Sequence, residues 1–281
     1  PNMLRGTFEM AFRRMVCHDI ELDCRACPVR EACPYPQVFR PCPPAGAERL
    51  RKQQDLPRPF VFEPPPAGDD EFVPGQSVEI GVTLFGRANQ WLPYVVVALR
   101  ALAERGLGPR RGRLSLDRVD ACTRSGDREV FDATSAVVRP IAEGVRLAGL
   151  LRTGDAGARR VRVAFQTPTT LKRNGQLVLR PTFADLVCRV RDRASTIAAF
   201  FGDGPVDLDF AGIATAAGAI QTAACKTSWQ HRTRRSSRTG DAHETSGFTG
   251  EAVYQGDLGP FLPLLRLGEA LHVGKYAVWG N

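Results

Sequence analysis

Four cysteines and a histidine fall within the twenty residues VCHDIELDCRACPVREACPY (16–35) of a 281-residue chain. Six, two and five residues separate Cys17, Cys24, Cys27 and Cys33. A CxxC pair sets two thiolates on one tight turn, and two further thiolates nearby complete the tetrahedron that zinc prefers. His18 could replace one ligand, and Cys42 is a spare. Iron and sulfur also take four cysteines, but nothing around these points to redox work. The competing reading is a set of unpaired thiols. With four sulfurs the site would be closed to a reactive water, so the expected metal is structural zinc pinning a proline-rich loop (17–42), and any catalysis lies beside it.

Only four histidines occur: His18, His231, His243 and His272. Each has an ordinary reading as a surface or capping residue, or in the case of His272 as a half-buried sheet residue. The stretch KTSWQHRTRRSSRTGDAH (226–243) carries Lys226, Arg232, Arg234, Arg235 and Arg238 ahead of its first acid, Asp241, and includes Trp229. Guanidinium forks track phosphates and an indole face stacks on a base, so this segment reads either as an RNA-gripping hairpin or as a solvated loop. In HVGKYAVWGN (272–281), Gly274 and Gly280 flank Lys275; such glycines let backbone amides approach a phosphate, though the segment matches no nucleotide-hydrolase loop.

The elements that must hold these residues follow from periodicity. Phe8, Ala11, Phe12, Met15 and Val16 predict an amphipathic helix over 7–18, capped by Thr7. A proline-rich stretch from Pro34 to Pro74 contains one edge-strand candidate, 59–64. A strand is predicted over 77–86, a helix over 89–106, and a hairpin from 113–121 and 128–133. A second round follows: a strand over 160–171, a helix over 181–202, strands over 223–232 and 245–257, a helix over 259–271 and a last strand from 272. Given one strand ahead of Pro1, both halves share one order. The fold expected is therefore α+β, two tandem ferredoxin-like domains over 1–155 and 156–281, with the cysteine loop inserted in the first.

Lysine and arginine number 38 against 30 acids, a net charge of +8, and only four of the 38 are lysine. That balance favours a polyanion over a small neutral substrate, although a G- and C-rich genome would raise arginine as well. No apolar run reaches the ~18 residues a bilayer requires, so a soluble, cytoplasmic protein without membrane contact is expected. The sequence starts at Pro1 directly before a helix pattern and stops at Asn281 within a strand pattern. Further residues are expected at both ends, through disorder, excision or fusion.

LRG (4–6), the cysteine run ending in CPY (33–35), and GFTGEAVYQGDLGPFLPLLRLGEALHVGK (247–275) together resemble the CRISPR repeat-processing endoribonucleases, the sixth Cas family of the RAMP superfamily, in the branch with an N-terminal cysteine cluster. The resemblance departs at 279–281, where WGN replaces the usual glycine-rich turn. It implies metal-independent cleavage of precursor transcript within each CRISPR repeat, the 2′-hydroxyl attacking the adjacent phosphate to leave a 2′,3′-cyclic phosphate and a 5′-hydroxyl. It further implies His18 as a catalytic histidine, His272 and Lys275 in RNA contact with a possible second proton transfer at His272, and a stem grip by the basic residues of 226–238. Other Cas proteins are candidate partners. The rival readings are a RAMP subunit that binds guide RNA without cutting it, and the RNA-processing part of a fusion with spacer-acquisition enzymes.

Overall fold

The computed structural model describes residues 2–43, 56–63, 65, 72–108, 110–123, 125–141, 144, 157–235 and 242–277. The expected domain boundary at 155/156, Arg238 and Gly280 lie outside them.

Helix α1 (Asn2–Val16) starts earlier than periodicity indicated. Thr7 is not its cap: it sits inside the helix and donates its hydroxyl hydrogen back to Met3 O at 2.9 Å, the i−4 bond open to a helical threonine. Leu4, Phe8, Ala11 and Phe12 recur on one face and are buried. Helix α2 (Pro34–Phe39) arises within the proline-rich stretch, because Pro34 occupies a first-turn position where no amide bond is lost. Tyr35, Val38 and Phe39 then bury one face against α1 and strand β1 (Phe60–Glu63). Phe8, Phe12, Phe39, Phe60 and Phe62 form a cluster of mostly edge-to-face rings with centroids 5.1–6.1 Å apart. Each such side chain stabilises the fold by about 1.5–3 kcal/mol through burial. β1 pairs antiparallel with β2 (Gly81–Leu84), which leads through a 3-10 turn (Gly86–Trp91) into α3 (Leu92–Arg105), packed on α1. Strands β3 (Arg118–Thr123) and β4 (Gly126–Asp132) form the expected hairpin.

In the second half, β5 (Arg160–Thr169), β8 (Gln221–Gln230) and β11 (Gly247–Gln255) form an antiparallel sheet in the order β5-β11-β8. Two small hairpins branch from it, β6 (Leu171–Arg173) with β7 (Gln176–Val178), and β9 (Thr233–Arg235) with β10 (Ala242–Glu244). The helices are α4 (Phe183–Phe201), α5 (Phe210–Gly218) and α6 (Leu262–Leu271). Thr182 and Asp185 exchange the two bonds of a capping box that starts α4 just after Pro181. Phe165, Phe248, Ala252 and Tyr254 face the helices, while Arg160, Arg162 and Lys226 lie on the open side of the sheet. Residues 274–277 form a turn where a strand was expected.

The two halves meet along a seam. Val61, Phe85, Ile197 and Leu271 form a buried cluster drawn from β1, the end of β2, α4 and α6. Beside it, Arg87 donates a guanidinium hydrogen to Phe200 O at 2.9 Å. No helix among the described residues is long and apolar enough to cross a membrane.

Candidate nucleic-acid interface

The basic segment projects from the end of β8. His231 and Arg232 are exposed, and the base of the β9–β10 hairpin is clamped around Arg232. The Arg232 amide donates to Ser246 Oγ at 3.1 Å, and the Thr245 amide donates to Arg232 O at 2.8 Å. Thr170 Oγ1 donates to Ser246 O, joining this base to the β5–β6 junction. Lys275 reaches the same junction, since its amide donates to Thr170 O at 3.0 Å. Gly274 permits that approach: its φ is +112°, and a Cβ there would stand 3.3 Å from Thr170 N and O. Tyr276 Oη donates to Glu244 O at 2.6 Å, so the turn after α6 is also tied to β10. Lys275 stays exposed, its Nζ 5.0 Å from the Tyr276 ring centroid. Arg232, Lys275 and the hairpin thus belong to one surface.

His272 lies three residues before Lys275, half-buried at the end of α6. It caps the C-terminus of α6 with φ +54° and ψ 162°, a conformation that L side chains rarely adopt and that costs on the order of 1–3 kcal/mol. Such strain is maintained only where the surroundings over-determine it. Burial pushes the imidazole pKa below its ordinary 6.5, Glu63 at the end of β1 opposes that shift, and Arg193 on α4 adds to it. The shift favours the neutral ring, the form that accepts a proton. Arg193 donates its Nε hydrogen to Leu271 O at 2.8 Å, satisfying a carbonyl of the last turn of α6. Its Nη2 is buried with no hydrogen-bond partner among the described residues, and burial pulls the guanidinium pKa down to about 10.

The remaining predicted residues are distributed differently. Lys226 is exposed on the open sheet face, opposite Glu251, whereas Trp229 packs half-buried against the second core. Arg234 and Arg235 lie on β9. His18 is exposed directly after α1 ends, and among the described residues no hydrogen bond or ion pair joins it to His272. Cys17, Cys24, Cys27 and Cys33 share one loop. Burial raises the thiol pKa of Cys24 and Cys33, and neighbouring thiols raise them further: Cys17 and Cys33 act on Cys24, Cys17 and Cys27 on Cys33. Cys17 Sγ instead donates to Asp19 O at 3.0 Å, and among the described residues no three His, Cys, Asp or Glu side chains close into a cation site.

Glu63, Thr170, Arg193 and Tyr276 were not identified from sequence. Glu63 carried only an edge-strand signal, and Arg193 lay inside a long helix; the end of α6 on which both act is more than seventy residues distant in the chain.

Residues 163–281 match the family model of the CRISPR-associated endoribonuclease Cas6, and residues 2–143 match AF_1859_N, an N-terminal domain. An uncharacterized protein of Archaeoglobus fulgidus is 24% identical, the match covering 99% of this chain and 88% of that protein. Among solved structures, a Cas6 product complex superposes with a TM-score of 0.58 at 16% identity, covering 100% of this chain and 91% of that one. A Thermus thermophilus Cas6 gives 0.49 at 16% identity over 99% and 88%. The first superposition shows that this chain shares the Cas6 fold.

Proposed function

On the premise that this chain belongs to the CRISPR-associated endoribonuclease Cas6 family through residues 163–281, we propose that it binds CRISPR repeat RNA and cleaves the precursor transcript within each repeat. The observation that carries this reading is His272, half-buried with a strained backbone at the end of α6, three residues before Lys275 in the turn tied to Arg232's hairpin. In this mechanism His272 removes the proton of the 2′-hydroxyl, the oxygen attacks the adjacent phosphorus, and the 5′-oxygen leaves with a proton, giving a 2′,3′-cyclic phosphate and a 5′-hydroxyl. Lys275 and Arg232 offset the charge gathering on the phosphate, so no metal is required for the step. His18 is the second candidate for proton transfer.

The strand order β5-β11-β8, with helices on one face, supports a ferredoxin-like plan for the second half. Structural zinc on Cys17, Cys24, Cys27 and Cys33 is proposed from donor chemistry: four soft sulfurs share one loop, and a dication would hold them as thiolates. A cytoplasmic location and contact with other Cas proteins follow from the same reading.

A second reading has one observation in its favour. Among the described residues no hydrogen bond or ion pair joins His18 to His272, so an acid partner for His272 would come from RNA-induced closure or be absent, leaving a guide-RNA-binding subunit. Labelled repeat RNA incubated with the protein in EDTA, beside His18→Ala and His272→Ala, decides between them. Cleavage at one position that His272→Ala abolishes supports the nuclease. Tight binding with no cleavage supports the binding subunit.

A further inference from the structure

A cavity of about 210 Å³ opens between α1, the cysteine loop and α2, on the half of the molecule that holds none of the basic hairpin. A water occupies ~30 Å³ of liquid, so the space admits a phosphate group with part of its hydration. Arg25, Arg30, Arg40 and Arg58 line it, against two acids, Glu9 and Asp23. Glu9 is already engaged from behind. It pairs with the buried Arg5 at 3.1 Å and accepts the Tyr35 hydroxyl hydrogen at 3.0 Å. The lining therefore presents more positive charge than a count of its own side chains suggests.

The guanidinium groups are also positioned. Arg58 Nε donates to Phe39 O at 2.7 Å, fixing that side chain to the end of α2. Arg30 donates one hydrogen to the sulfur of Cys42, a weak acceptor that a phosphate oxygen would outcompete. Arg40 bonds the Tyr35 hydroxyl, which in turn donates to Glu9.

We propose that this cavity binds phosphate, and that in the working protein the group it takes is a backbone phosphate of the bound RNA. The RNA arm rests on the function proposed above. The connection is geometric. Arg58 stands just before β1 and Glu63, whose charge acts on His272, ends it. Five residues of chain span at most about 18 Å, so a strand with its reacting phosphate at His272 would have another phosphate within a few nucleotides of the cavity.

The test separates the two layers. First, melting of the wild-type protein in sodium phosphate is compared with sodium chloride at equal ionic strength, alongside Arg25→Gln/Arg30→Gln and the charge-retaining Arg30→Lys. Phosphate should raise the melting temperature of wild type and of Arg30→Lys but not of the double variant, whose melting in chloride reports its folding. Second, repeat-RNA affinity is measured from 50 to 200 mM salt. The double variant should bind about tenfold more weakly, with a log–log salt slope shallower by about 0.7 per single-strand phosphate released. Phosphate protection with an unchanged RNA slope assigns the cavity to free phosphate and overturns the RNA arm. Protection in a wild type that binds no RNA overturns the RNA reading while the phosphate site stands. Absence of protection overturns the site altogether and leaves the arginines as counter-charges for Glu9 and Asp23 of the same lining.

Discussion

Tyr276 hands its hydroxyl hydrogen to the carbonyl of Glu244 at 2.6 Å, so the turn after α6 is fastened to the basic hairpin. Tyr276→Phe removes that bond and little else. The expected loss of global stability is at most about 0.5–1.5 kcal/mol. Amide exchange across 233–235 and 242–244 should accelerate and repeat-RNA binding should weaken, while exchange in α4 stays unchanged. Unaltered hairpin exchange would show that the tyrosine does not hold it.

His272 should report the charges on either side of the seam. Glu63→Gln removes the group that favours the imidazolium and should lower the His272 pKa further; Arg193→Met removes one that opposes it and should raise the pKa toward 6.5. NMR titration of the ring reads both. The folded pKa lies below the unfolded value, so the unfolded chain binds this proton more readily, and stability should fall as pH drops from about 6.5 through the folded pKa. In His272→Gln that part of the acid dependence should vanish. Shifts of one sign in both neighbour variants would refute the electrostatic account.

Two glycines should respond oppositely to alanine. At Gly274, φ +112° and the nearby Thr170 backbone predict a loss of about 1–3 kcal/mol and weaker RNA binding. At Gly6, inside α1 with open space around its Cα, Gly6→Ala should stabilise by about 0.5–1 kcal/mol. Denaturant midpoints at constant slope measure both.

The native protein should carry one zinc per chain by elemental mass spectrometry. Cys24→Ser/Cys33→Ser should lose it and melt at a lower temperature. A zinc-free protein with unchanged melting would remove the metal from the reading, and the loop would then be held by packing of Cys24 and Cys33 on the first core.

Much of the fold was legible because burial imposes a period. Helices 89–106 and 181–202 were located within a few residues, since α3 and α4 each press one apolar stripe on a core. The start of α1 was misplaced because Thr7 resembles a cap and bonds i−4 instead. Helix α2 was hidden by prolines whose positions at its start are harmless. At the site, the basic run singled out Arg232 and flanking glycines singled out Lys275, and the structure ties their backbones to one junction, Thr170 and Ser246. Trp229 gave a base-stacking signal but packs inward, because alternation along β8 assigns it to the helix-covered face. Glu63 and Arg193 were invisible for a different reason. Their roles depend on β1 meeting α4 and α6, a relation that no local spacing encodes.

Gly86 opens the 3-10 turn at the seam with φ +54°, and a Cβ there would drive into the carbonyl of Phe201. At this point the two halves approach main chain to main chain. The side chains of Val61, Phe85, Ile197 and Leu271 fill the seam nearby, but at position 86 backbone meets backbone, and any residue larger than glycine there would act as a wedge between the halves.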